Sequence, residues 1–295
     1  MKLKSAEEIS GLHPEAVAGS KKLKDEVLLI KVGGSAMVDE EILSSLLEDI
    51  ALLKSLGAKP VVVHGGGPYI SRALDELDID TEFHRGMRKT PASVMNVVKQ
   101  VLVGQVNSMI VELACSKTDC RAVGLYGGDC SLITAKKYSC EDGADLGRVG
   151  EVEEVDPGIV RSMLAAGYLP FIAPVGVGQD GRSYNINSDT AACEIAGALD
   201  ADRFVVLTDV DGVMEDPDEE GSTIEHLPRA EAEKMMENGG ISEGMIPKVR
   251  SCMRALSCGV NTSYILNGTG EHMLLHELLT GAGTGTRMGS MDQDM

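Results

Sequence analysis

The chain has no tryptophan, and only 3 phenylalanines and 6 tyrosines among 295 residues, so it offers little on which successive bases could stack. Positive charge is also in short supply. Against 46 Asp and Glu stand 27 Lys and Arg, giving a formal net charge of −19. The phosphates of a nucleic acid would be repelled by such a chain, which argues against nucleic acid as a partner. Any anionic ligand must find a positive environment that is built locally. No HExxH and no paired CxxC spacing occurs, the 6 histidines are scattered and the 7 cysteines are odd in number. These absences argue against a protein-built metal site and for reduced, mostly structural thiols. Met1 to Lys24 mixes charged and small residues without an apolar h-region, and no apolar run reaches membrane-spanning length. A cytoplasmic chain without membrane contact is therefore expected. The Gly-Lys pair of a Walker A loop is missing throughout, so phosphate, if handled, is not handled by a P-loop.

What the chain does have is glycine at the ends of apolar runs. Val27-Leu-Leu-Ile-Lys-Val-Gly-Gly-Ser35 is too short and too rich in Leu, Ile and Val for anything but a buried strand of a parallel sheet. Lys31 is the anomaly in it. An ammonium among aliphatic side chains is costly unless an anion meets it, so Lys31 either faces a ligand or lies on an edge strand and reaches water. Lys59-Pro-Val-Val-Val-His-Gly-Gly-Gly-Pro-Tyr69 repeats the scheme, with a proline suited to the first turn of a following helix. Between the two runs, Ile42, Leu46, Ile50 and Leu53 recur at helical spacing. A βαβ unit follows, with both glycine loops on the same edge of the sheet and their N–H groups facing one site.

Further along, the pattern predicts a helix from Pro68 to Leu77 and an irregular stretch from Asp78 to Lys89. A long helix is predicted over Pro91 to Ser116, with Gln105 and Asn107 as solvated positions. Strands are expected at Arg121 to Tyr126 and Tyr168 to Pro174, with antiparallel strands between Cys130 and Val155. Gly176-Val-Gly-Gln-Asp-Gly181 fits G-x-G-x-x-G, but Arg182 to Asn187 reads as a strand and not a helix, so a hairpin is the expectation. Ser188 is read as the cap of a helix through Leu199 that carries Asp189 in its first turn. Strand Arg203 to Leu207, helices at Arg229 to Glu237 and Pro247 to Ser257, strand Thr262 to Leu266 and helix Glu271 to Leu279 complete a second α/β half on the same sheet. Lys248 sits in the first turn of a helix opened by Gly244-Met-Ile-Pro, where a cation is disfavoured. It either faces an anion or is solvent-exposed.

The motifs Lys31-Val-Gly-Gly34, His64-Gly-Gly-Gly67, Gly86-Met-Arg88, Asn185-Ile-Asn-Ser-Asp189, Thr208-Asp-Val-Asp-Gly212 and Gly244-Met-Ile-Pro-Lys248 resemble, in order from about Val27 to Met288, the acetylglutamate kinases of the amino acid kinase superfamily. The resemblance implies an α/β fold with an open, mainly parallel eight-stranded sheet sandwiched by helices. It places an extension at 1–25, an amino-acid lobe at 26–177 and an ATP lobe at 178–295. It implies transfer of the ATP γ-phosphoryl to the side-chain carboxylate of N-acetyl-L-glutamate, with Mg²⁺ bound mainly through the phosphates. Lys31 and Lys248 would flank the transferring group, with Asp189 orienting both. Gly66, Gly67, Arg88 and Asn185 would bind the acetylated amino acid. Gly33, Gly34, Asp209, Val210, Asp211, Gly212, Val213, Met214, Gly240, Ile241 and Ser242 would serve phosphoryl and nucleotide. A departure is Gly128, where the family often has lysine.

The tail, Asn267-Gly-Thr-Gly-Glu-His272, Glu277 and Gly281-Ala-Gly-Thr-Gly-Thr286, resembles that of the arginine-inhibited members. L-arginine would be held by His272, Glu277, Gly283 and Gly285, with a plain helix end and flexible tail as the alternative. A homodimer is implied. A hexameric ring is left open, because Gly11, Pro14 and Gly19 interrupt the N-terminal stretch, which also lacks the aromatic residue of the interlacing helix. Carrier-bound aminoadipate as substrate and a catalytically weak arginine-sensing paralogue are the alternatives.

Overall fold

Two aliphatic strands, β1 (Val27–Val32) and β2 (Lys59–His64), lie parallel and in register from Val27 beside Lys59 to Val32 beside His64. Between them runs α2 (Glu40–Ser55), which follows the short N-terminal α1 (Pro14–Lys22). The Asp39 side chain accepts from the Glu41 and Ile42 backbone N–H groups and so starts α2. The computed structural model describes residues 14–33, 36–216, 219 and 221–289. After β2 come α3 (Gly67–Glu76) and a hairpin of β3 (Phe83–His84) and β4 (Met87–Arg88). A long helix is next, built from α4 (Ala92–Lys99), a wider π-helical segment (Gln100–Asn107) and α5 (Ser108–Lys117). Then follow β5 (Ala122–Tyr126), β6 (Ile133–Lys137), β7 (Val149–Val155), α6 (Gly158–Ala165), β8 (Leu169–Ala173), β9 (Val175–Val177) and β10 (Ser183–Ile186). The rest of the chain gives α7 (Ser188–Ala198), β11 (Arg203–Thr208), α8 (Arg229–Glu237), α9 (Ile246–Ser257), β12 (Thr262–Asn267), α10 (Met273–Thr280) and β13 (Gly285–Gly289).

The main sheet has seven strands in the order β13-β12-β11-β1-β2-β8-β5, parallel except for β13, which runs antiparallel to β12. This is the mainly parallel, helix-sandwiched sheet implied by the resemblance, one strand short of the eight expected. A small closed barrel, β10-β7-β6-β9, stands beside it. Alternation along β1 explains the two cores. Leu28, Ile30 and Val32 face a cluster with α2, α4, α5 and α10, while Leu29 faces one with α6, α7 and α9. A strand covered on both faces must be mostly apolar, as β1 is apart from Lys31 and β2 is between Lys59 and His64.

Four details differ from the sequence reading. Gln105 is exposed as expected, but Asn107 is 5% exposed, because the π-helical segment turns it inward against the sheet. The cap of α7 is Asn187, whose Oδ1 accepts from the Asp189 and Thr190 N–H groups; Ser188 lies inside the helix. The last described segment, Gly285–Gly289, is an edge strand, where a plain helix end and flexible tail was the alternative reading. Finally, the helix Ala92–Lys117 is long and apolar enough to cross a membrane by length and composition, but half of its most apolar window is buried inside the fold. Its apolarity covers the sheet. The hairpin expected at Gly176 to Asn187 is present as the antiparallel pair β9 and β10.

Candidate active site

Lys31 lies near the carboxyl end of β1, with β2 on one side and β11 on the other. The edge-strand alternative therefore falls. Its side chain is buried, and Nζ is 2.9 Å from Asp189 Oδ1. Asp189 is itself 8% exposed, in the first turn of α7, where the helix dipole favours a carboxylate. The contact is an ion pair without hydrogen-bond alignment: Asp189 Oδ1 accepts no aligned bond, which leaves an acceptor position open on a buried oxygen. A Cβ on Gly33 would lie 2.9 Å from Leu207 O and 3.7 Å from Lys31 Nζ, so the absence of a side chain there lets the backbone run against the ammonium. Gly34 is outside the described residues.

The two glycine loops meet. Gly65 N donates to Val32 O at 3.0 Å. A Cβ on Gly66 would collide with Leu102 Cδ2 at 2.5 Å, while Gly67 has open space where a Cβ would point. His64 anchors the second loop from below. Its fully buried ring is pulled down to a pKa of about 4 by desolvation, so it is neutral near pH 7. With Nδ1–H donating to Gly65 O at 2.7 Å, Nε2 accepts from Asn107 Nδ2 at 3.0 Å. Asn107 also donates to Phe171 O at 3.0 Å. Sequence reasoning missed this role. The available signal was an amide between Val106 and Ile110 on the apolar stripe.

Arg88, 7% exposed, projects from the β3–β4 hairpin toward the start of α3. Its Nη2 donates to Ser71 Oγ at 2.7 Å and to Gly67 O at 3.4 Å, and the guanidinium lies 4.6 Å from the centroid of the Phe83 ring. Nη1 is buried with no partner. Burial pulls the Arg88 pKa below its usual value. Asn185 on β10 joins the same region, donating from Nδ2 to Thr90 Oγ1 at 3.2 Å. Thr90 Oγ1 in turn donates to Arg88 O at 2.8 Å.

The second half supplies a loop after β11. Asp209 and Val210 are exposed, with Asp209 Oδ1 accepting from Thr208 Oγ1 at 3.1 Å. Asp211 Oδ1 accepts from Asn267 Nδ2 at 2.7 Å, and Val213 N donates to Thr286 Oγ1 at 2.8 Å. Gly212 at φ 137 has Thr286 where a Cβ would point, and Met214 bridges to Thr223. Gly240, buried Ile241 and Ser242 lead into α9, where Ser242 O accepts from Met245 and Ile246 N–H. Lys248 sits in that first turn, half-buried, with Nζ on Gly244 O at 3.0 Å. Asp189 pairs with Lys31 and not with Lys248. A cavity of about 330 Å³ lies elsewhere, between α2 and residues 267–274, and neither Lys31, Arg88 nor Asp189 lines it.

At the tail, Glu277 is 7% exposed, and its Oε2 accepts from Thr284 N at 2.9 Å and Thr284 Oγ1 at 3.3 Å. His272 Nδ1 is 2.7 Å from Asp49 Oδ1. That hydrogen bond raises the His272 pKa, while burial raises that of Asp49. Gly283 at φ 67 faces the Glu225 carboxylate, and Gly285 lies in β13 against Ile265 O. Gly19 permits α1 to approach the Leu279 carbonyl of α10, where any Cβ would collide.

The profile of the amino acid kinase family matches residues 26–267. Acetylglutamate kinase from Heliobacterium modesticaldum is 45% identical over 287 residues, covering 95% of this chain and 97% of that one. The chloroplastic acetylglutamate kinase of Arabidopsis thaliana is 42% identical over 272 residues, covering 92% and 78%. Among solved structures, N-acetylglutamate synthase from Neisseria gonorrhoeae is similar in two complexes. With coenzyme A and N-acetyl-glutamate the TM-score is 0.82 at 28% identity, over 94% of this chain and 62% of the synthase. With coenzyme A and L-arginine it is 0.83 at 26%, over 97% and 65%. This chain thus spans less than two thirds of the synthase. With the profile over residues 26–267 and relatives at 42–45% identity along nearly all of its length, the chain belongs to the amino acid kinase family, within its acetylglutamate kinase branch.

Proposed function

We propose that the chain transfers the γ-phosphoryl of ATP to the side-chain carboxylate of N-acetyl-L-glutamate, an acyl-phosphate-forming step of arginine biosynthesis. The observation that carries the substrate half is Arg88. Its Nη1 is buried and unpartnered, a costly arrangement that a ligand carboxylate would relieve. Gly67 beside it and Asn185, tied to it through Thr90, would hold the rest of the acetylated amino acid. The relatives' names do not favour aminoadipate or a non-catalytic sensor.

Phosphoryl transfer leaves the protein mainly positioning and charge neutralisation to supply. Lys31, held by Asp189, would face the transferring group together with backbone N–H groups of Gly33, Gly34 and Gly66. Lys248 would complete the clamp by leaving Gly244 O for the open acceptor on Asp189 Oδ1, an exchange eased by the packing of α7 on α9. The loop Asp209 to Met214 and Gly240 to Ser242 would receive the nucleotide. Mg²⁺ would come bound mainly to its phosphates, as such ions do in kinase sites.

In the same reading, 26–177 is the amino-acid lobe and 178–295 the ATP lobe, the chain is a cytoplasmic homodimer, and L-arginine inhibits by binding at His272, Glu277, Gly283 and Gly285. The close seating of α1 on α10 supports coupling of the N-terminal helix to that region. The test of the reaction is ATP-dependent hydroxamate formation with hydroxylamine, comparing N-acetylglutamate, glutamate, aspartate and N-acetylaminoadipate. Product with N-acetylglutamate alone is expected; equal product with aminoadipate, or none at all, overturns the assignment.

A further inference from the structure

The histidines are scattered in sequence, but the fold gathers one of them with a thiol and a carboxylate. His84 ends β3, and Cys140 and Asp142 lie in the loop between β6 and β7. Their ligand atoms all lie within 4.8 Å of one another, and no other such group of three occurs among the described residues. His84 Nε2 is 2.9 Å from Asp142 Oδ2. Asp142 Oδ1 accepts from Ala144 N at 3.1 Å, which aims the second oxygen at the imidazole. The two segments are already framed by backbone bonds from Thr90 N to Leu146 O at 2.9 Å and from Arg148 N to Thr90 O at 2.6 Å. None of the three side chains is used in the kinase reading.

We infer that His84, Cys140 and Asp142 form a site for a zinc-class divalent cation, completed by water, that clips the Arg88-bearing hairpin to the β6–β7 loop. Imidazole, thiolate and carboxylate are the donors that zinc takes in tetrahedral sites. Around such an ion the ligand atoms stand roughly 3.3–3.7 Å apart, so the cluster must contract by about 1 Å at its widest. Gly86 and Gly143, at φ 78 and 77 with open space around both, lie beside the ligands and let each segment yield. Arg85 opposes the cation. Its guanidinium lies 3.4 Å from Asp142 Oδ2 and 3.7 Å from Glu141 Oε2 and must swing aside when metal enters. It therefore holds the affinity down.

The experiment uses the full chain, reduced and stripped of metal, titrated with Co²⁺ and then with Zn²⁺. One equivalent of Co²⁺ with a thiolate-to-cobalt absorption band, displaced by Zn²⁺, is expected. Cys140→Ser and His84→Gln should lose the band and weaken Zn²⁺ binding about 10–100-fold or more. Cys115→Ser, at an exposed thiol on α5, should keep both. Arg85→Asn, which suits the left-handed backbone at φ 48, should bind more tightly than the unaltered chain. Absence of the band in the unaltered chain overturns the site, as does a full band in Cys140→Ser or weaker binding in Arg85→Asn. Phosphoryl transfer by zinc-free Cys140→Ser supplied with Mg²⁺ and ATP, equal to that of the unaltered chain, shows that the substitution leaves the fold intact.

Discussion

If Arg88 takes the substrate carboxylate as proposed, replacing it should separate ligand recognition from stability, because its guanidinium is only half satisfied within the chain. Nη2 is engaged by Ser71 Oγ at 2.7 Å, but Nη1 is buried without a partner. A carboxylate taken by both arms makes a bidentate, charge-assisted pair. Arg88→Lys offers one ammonium that can meet Ser71 or the ligand, so it should lose about 1.5–3 kcal/mol of binding. That is about 10- to 150-fold in the KM for N-acetylglutamate. The KM for ATP should stay put, since no contact of Arg88 reaches the second half. Arg88→Met goes further. It loses the Ser71 bond and the contact with the Phe83 ring, about 1.5–2.5 kcal/mol together, but removes an unpaired buried donor that costs about 1–3 kcal/mol. Its thermal stability should therefore lie within about 1.5 kcal/mol of the unaltered chain while substrate binding collapses. Steady-state kinetics against both substrates, beside calorimetry, decides it. A large fall in Tm with unchanged KM would make Arg88 a structural residue, and a shifted ATP KM would refute the division between the halves.

Lys31→Ala and Lys248→Ala should each lower kcat about 10²–10³-fold with little change in KM. Only Lys31→Ala should also destabilise, by about 3–5 kcal/mol, because it strands buried Asp189; equal effects on Tm would contradict the burial difference. His64 should impose acid sensitivity. Its ordinary value is 6.5 and its value in the fold about 4, so the neutral ring's contribution is complete above pH 6.5 and is lost as pH falls toward 4. About 2 kcal/mol should be gone by pH 5, and urea midpoints that fall equally in His64→Gln would refute this. Glu277→Gln keeps an acceptor for Thr284 but loses the charge for a guanidinium, so it should weaken arginine inhibition and spare uninhibited kcat; no inhibition of the unaltered chain at millimolar arginine removes the effector site.

The β1–α2–β2 unit was legible in the sequence because its signals are local: aliphatic runs with glycine ends, and one apolar stripe between them. The β9–β10 hairpin was legible because Arg182 to Asn187 denies the glycine pattern before it a helix. What escaped depends on partners distant in sequence. Asn107 reads as solvated until the π-helical segment turns it onto His64 and Phe171. Gly285 to Gly289 looks like tail because an edge strand with four polar or glycine positions out of five has little pattern, and only pairing with β12 orders it. Ser188 and Asn187 are both good caps, and local sequence does not choose between them. His84 and Cys140 have no spacing rule, because the hairpin and the barrel loop bring them together.

The −19 charge and an anionic substrate pair pose one electrostatic problem, and the fold meets it by burying its cations. Lys31 is held 2.9 Å from Asp189 at the end of a strand covered on both faces, and Arg88 is held against the N-terminal half of α3 by Gly67 O and Ser71 Oγ. Water screens a buried cation much less than an exposed one, so two such groups outweigh many surface carboxylates at the short range where a phosphoryl or carboxylate docks. The same burial requires that each cation be compensated before the ligand arrives. Asp189 does this for Lys31, whereas Arg88 is compensated only in part, by Ser71, the Gly67 carbonyl and the Phe83 ring. In the proposed reading, the residue left short of partners is thus the one whose ligand would supply a full charge, and the one already paired would act on charge that develops later, during transfer.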